Sequence, residues 1–100
     1  MDKKKEQFLK RLHETFRIEA EEHIRMISSG LLELEQNPGR DRFRELVETT
    51  FREAHSLKGA ARSVDMRDVE SLCQRLETVL SSLKQGKIAL SLPVLDLMHQ

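Results

Sequence analysis

Residues 41–62 read DRFRELVETTFREAHSLKGAAR, and this stretch decides the architecture. Phe43, Val47, Thr50, Phe51, Ala54, Leu57 and Ala61 recur at intervals of three and four, the spacing that gathers side chains on one face of an α-helix. Inside it, residues 54–61 read AHSLKGAA, so His55 stands three positions before Lys58 and four before Gly59. Those positions are neighbours on a helix surface. Lys58 is then within reach of anything attached to the His55 ring, and Gly59 removes a side chain that would block approach to it. The pattern is that of a site for handling phosphate. At about 100° per residue, His55 lies at the edge of the apolar stripe centred on Ala54, outside the core.

Working outward, the helical stretch is bounded by Asn37, Pro38 and Gly39 on one side and by the break in periodicity at Val64, Asp65, Met66, Arg67 and Asp68 on the other, where acidic residues suit the capping of a new helix. Upstream, residues 6–35 place Leu9, Leu12, Phe16, Ala20, His23, Ile27, Leu31 and Leu34 on one stripe. Gly30 falls on the same stripe and is expected to admit a neighbouring helix at close range within one continuous helix. Downstream, residues 67–84 are expected to bury Val69, Leu72, Cys73, Leu76, Val79, Leu80 and Leu83. A fourth segment is expected to start near Ser91, Leu92 and Pro93, where serine can cap and proline is tolerated in the first turn. Few glycines and prolines, concentrated at these breaks, predict an all-α, up-and-down antiparallel helical bundle with a short or truncated fourth helix. Residues 1–100 read as a single domain.

On the third segment Glu70, Gln74, Glu77 and Ser81 form a polar stripe displaced from the apolar centre at Leu76. In an antiparallel bundle this edge can face His55. A carboxylate there would accept a hydrogen bond from the inner ring N–H, fix the tautomer and leave the outer nitrogen's lone pair exposed. Glu77 is the candidate for that partner, with Lys58 steadying a phosphoryl group on the outer nitrogen.

Composition narrows the function. One hundred residues fold around one core and leave no room for a nucleotide-binding catalytic domain. Charged residues make up 34% and cancel to a formal net charge of zero, so neither nucleic acid nor an anionic membrane is called for as partner. The single Cys73 cannot form an internal disulfide, which fits a reducing, cytoplasmic setting, and no segment reaches the ~18 consecutive apolar residues of a membrane span. No two of the four histidines stand at i, i+4, so no metal site is expected. No glycine-rich phosphate loop, magnesium-binding acidic pair or matched nucleophile and base supports an enzyme with its own turnover. His23, on the apolar stripe, reads as a hydrogen-bonded core histidine. Arg52 and Arg62 read more readily as solvated charges than as phosphate ligands. A scaffolding bundle, pairing through off-stripe residues such as Ile18 and Leu32, is the competing interpretation.

AHSLKGAA, preceded by FRE and followed about twenty residues later by QRLETVL, resembles the histidine phosphotransfer (HPt) domain of chemotaxis-type sensor histidine kinases of the CheA kind. By that resemblance His55 is the phosphorylated histidine, Lys58 and Gly59 the lysine and glycine that follow it, and Glu77 the glutamate that hydrogen-bonds the imidazole. The resemblance further implies a phosphoryl group received from ATP through a separate ATP-binding kinase domain and handed to an aspartate of a response-regulator receiver domain, with no cofactor bound by the carrier. Gln74 stands where the best-known members carry a second histidine, Ala60 replaces a second glycine, and the fourth segment is short. Gln74 and Arg62 complete the candidate binding residues beside Gly59. Met1 at the start and the break after Met98, His99 and Gln100 point to the N-terminal module of a longer kinase, monomeric as an isolated domain, rather than to a stand-alone carrier.

Overall fold

The computed structural model describes residues 2–85, which form three α-helices and no strand. They are α1 (Lys3–Glu35), α2 (Arg40–Ser63) and α3 (Arg67–Lys84). Short turns join them, and α2 lies between the other two, packed against both. The expected fourth segment, and His99, fall outside the described residues.

Helix ends follow local chemistry. Asp2 caps α1 by accepting a hydrogen bond from the Lys4 amide at 3.1 Å. At its other end Asn37 adopts a left-handed φ of 53° and donates its amide to the Leu34 carbonyl, while Pro38 has no amide with which to extend the pattern. The turn after α2 closes more fully. Asp65, at φ 58°, donates to the Arg62 carbonyl, and Met66 donates to the Ala61 carbonyl at 2.9 Å, the paired bonds of a Schellman motif. Asp65 therefore ends α2 rather than capping α3, contrary to the expectation for this acidic stretch. The N-cap position of α3 is Met66, which makes no side-chain cap; Asp68 and Glu70 instead place negative charge in the first turn, where the helix dipole favours it.

Packing runs along one seam per helix. On α2 the buried residues Val47, Thr50, Ala54, Leu57 and Ala61 alternate at three and four, as in two helices crossing at a shallow angle. Of these, Val47, Ala54 and Leu57 join Leu46 of the same helix, Ala20, Ile27, Leu31 and Leu34 of α1, and Cys73, Leu80 and Leu83 of α3 in one core. Gly30 is buried within an unbroken α1, and a Cβ added there would collide with Thr50 Oγ1, so the expected close approach is present. Ile18 and Leu32 are exposed on α1, well separated along it.

One face differs from expectation. Leu72 is 48% exposed and Leu76 only half-buried, whereas Glu77 is 6% exposed. The seam of α3 thus runs Cys73, Glu77, Leu80, one residue round from the hydrophobic centre. Two basic side chains of α2 meet the Glu77 carboxylate, and this compensation allows the rotation.

Candidate functional site

The site forms across the α2–α3 seam. His55 projects from α2 with its side chain 66% exposed, and its Nδ1 lies 3.0 Å from Glu77 Oε1. One turn along, Lys58 donates from Nζ to Glu77 Oε2 at 2.8 Å and to Gln74 Oε1 at 3.0 Å. Gln74 and Glu77, three apart on α3, face α2 together. Glu77 uses both carboxylate oxygens, one toward each basic group. That pairing offsets the cost of withdrawing its charge from water, which for an unpaired buried carboxylate is several kcal/mol.

The imidazole has a further neighbour. Phe51, one turn before His55, stacks on it with ring centroids 6.5 Å apart and planes 4° from parallel. Helical spacing alone assigns Phe51 to the core; it is half-buried and divides itself between the core and the histidine. An aromatic residue four positions before the histidine on one helix is the signal in the sequence that points to this contact.

Gly59 is exposed, and a Cβ there would meet nothing within 4 Å. Arg62 is not drawn into the cluster. Its Nε donates to Glu70 Oε2 at 2.7 Å, two turns beyond His55, with the side chain 76% exposed. The structure thus joins His55, Lys58, Gln74 and Glu77, keeps Gly59 open alongside, and pairs Arg62 elsewhere. Arg52 is exposed.

Two other groups sit where their spacing puts them. His23 Nδ1 lies 2.6 Å from Glu53 Oε2 between α1 and α2, a partly buried, hydrogen-bonded histidine. Cys73 is 3% exposed, one turn from Glu77. Burial, and then the negative charge of Glu77, push its thiol up against the smaller opposing effect of Lys58. Among the described residues no group of three or more potential metal ligands converges, and no helix is long and apolar enough to cross a membrane.

Chemically, a carboxylate on Nδ1 favours the tautomer with the proton there and directs the Nε2 lone pair outward. An exposed nucleophilic nitrogen, an adjacent ammonium and an unobstructed flank suit transfer of an anionic group between partners better than capture of a small ligand. The chain is 34% identical over 83 residues to the chemotaxis protein CheA of Halobacterium salinarum, 32% over 80 residues to CheA of Treponema pallidum, and 31% over 88 residues to the sensor histidine kinase CheAY of Helicobacter pylori. These alignments cover 83%, 80% and 88% of the chain but only 12%, 10% and 11% of the relatives. No solved structure matches the chain. The Hpt domain family model matches residues 11–100, and with these relatives it shows that the chain belongs to the Hpt domain family.

Proposed function

We propose that the chain is a phosphocarrier of two-component signalling whose His55 Nε2 accepts a phosphoryl group from a separate ATP-binding kinase domain and passes it to an aspartate of a response-regulator receiver domain. Family membership supports the general role. The observation that carries the assignment to His55 is an outward-facing imidazole, 66% exposed, whose inner nitrogen is met by the buried Glu77 carboxylate.

The steps follow from that arrangement. The Nε2 lone pair forms the P–N bond as the bond from the γ-phosphorus to its bridging oxygen breaks, and ADP leaves with that electron pair. The ring keeps its Nδ1 proton and becomes cationic, facing the carboxylate that stabilises it. In the second transfer an aspartate oxygen attacks phosphorus, and the P–N pair returns to the ring, restoring the neutral imidazole. Lys58, one turn away, balances the phosphoryl charge, while Gln74 gives its ammonium a second acceptor. Gly59 opens the flank for a docking domain, and Arg62 continues that face of α2.

The likeness to chemotaxis kinases supports placement as one module of a larger kinase; that it is the N-terminal module, that the kinase is cytoplasmic and that the isolated domain is monomeric are further parts of the proposal. The reading frame beyond residue 100 tests this: a following ATP-binding region establishes the kinase, and a stop codon establishes a stand-alone carrier. For His55, phosphoramidate serves as donor, its P–N bond breaking with loss of ammonia. The chain should gain one acid-labile phosphoryl group by mass, and His55→Gln should gain none while keeping its helical circular dichroism. Equal labelling of the variant would overturn the assignment.

A further inference from the structure

We propose that Phe51 is a positioning residue for phosphotransfer, holding the His55 ring in the plane that presents Nε2 outward; this rests on His55 being the phosphoacceptor. The hydrogen bond from Nδ1 to Glu77 constrains one atom of an otherwise exposed ring. A planar ring anchored at one nitrogen and at Cβ still has freedom about its χ angles, and each alternative redirects the in-plane lone pair of Nε2. Phe51 supplies the missing restraint. Its ring lies 4° from parallel to the imidazole at a centroid separation of 6.5 Å, an offset stack within the range where aromatic pairs attract beyond their buried area.

Phe51 is itself held. It packs against the buried core and, with Val47 and Leu80, forms the apolar part of a surface cavity of about 380 Å³ between α2 and α3, rimmed by Glu48, Arg52 and Lys84. The stack therefore ties the reactive ring to the rigid seam. Glu77 and Phe51 act on different freedoms of the imidazole, since the carboxylate sets which nitrogen carries the proton and the phenyl face sets where the other nitrogen points.

Phe51→Leu keeps an apolar side chain against the core and in the cavity lined by Val47 and Leu80 and removes the aromatic ring, whereas Phe51→Tyr keeps both. In Phe51→Leu the three-bond couplings of the His55 side chain should change from one rotamer to an average, while its ring ¹⁵N shifts keep the Nδ1–H tautomer. Phosphorylation by phosphoramidate should slow roughly two- to tenfold, the factor corresponding to the aromatic pair, and Phe51→Tyr should restore the rate and the inter-ring Overhauser contacts. A wild-type rate and single rotamer in Phe51→Leu would overturn the proposal. So would slowing in Phe51→Tyr equal to that in Phe51→Leu. The His55→Gln control separates the two assignments: label retained there removes the phosphoacceptor, whereas label lost there with Phe51→Leu unaffected removes only Phe51.

Discussion

Glu77 divides its carboxylate between two donors on α2, Oε1 toward His55 and Oε2 toward Lys58, and both bonds are partly buried, the Glu77 side chain being 8% exposed. Replacing it by glutamine keeps the volume but not the charge. The amide can still accept from Nδ1–H through its oxygen, but its NH₂ then confronts the Lys58 ammonium, donor against donor. Glu77→Gln should therefore lower stability by about 1–3 kcal/mol, the cost of leaving one buried polar group without its partner. It should also let the Nε2–H tautomer compete, slowing phosphorylation roughly tenfold, as loss of a partner that orients an imidazole commonly does. Urea unfolding and ¹⁵N ring shifts measure the two effects separately; an unchanged tautomer with an unchanged rate would remove Glu77 from the mechanism. Lys58 keeps Gln74 as an acceptor in the variant, so its side chain stays near the site when Glu77 no longer attracts it.

At the scale of elements, the contact between α1 and α2 depends on a missing side chain. Gly30 lowers the helix propensity of α1 by about 1 kcal/mol relative to alanine, yet alanine there would drive its methyl into Thr50 Oγ1, a side chain 1% exposed and unable to turn away freely. Gly30→Ala should destabilise the domain by about 1–3 kcal/mol, the usual effect of overpacking, and Gly30→Ala combined with Thr50→Ala should recover most of the loss. Denaturant midpoints followed by circular dichroism decide it, and a stabilised single variant would contradict the packing described. Helix spans and this close approach are legible from sequence because spacing and glycine placement are local signals. The rotation of α3 is not. Averaged hydrophobicity centres its face near Leu76, but Leu72 is left in solvent and Glu77 turned inward because His55 and Lys58 compensate its charge. Likewise Asp65 has the chemistry of an N-cap for α3, and only the backbone shows it closing α2 in a left-handed turn. His55, Lys58 and Glu77 can be placed together from helical periodicity plus family resemblance; spacing also puts Phe51 beside His55, but the near-parallel setting of the two rings depends on side-chain angles that spacing does not encode.

Taken whole, the described domain carries its charge chemistry at separate stations. Near the first turn, Arg42 of α2 grips Glu33 of α1, donating from Nε and, at 2.7 Å, from Nη2, and it also donates to Glu45 at 2.9 Å. Hydrogen bonding from Arg42 holds the Glu33 carboxyl below its ordinary value. A depressed carboxylate stabilises the fold above the unfolded-state value and ceases to do so as pH falls through the folded one. Arg42→Ala should consequently lower the thermal midpoint slightly at neutral pH, and the gap from the parent should close on acidification below the carboxylate range; a gap that persists there would show that the clasp acts by something other than charge. Gly59 lies at another station, and nothing in the fold requires it: it is exposed, with open space where its Cβ would be. Alanine would suit the helix better by about 1 kcal/mol. Redesign aimed at thermostability alone would therefore rank this glycine among the first to replace, and under the proposed phosphocarrier role each gain in melting temperature obtained there would narrow the doorway to the histidine.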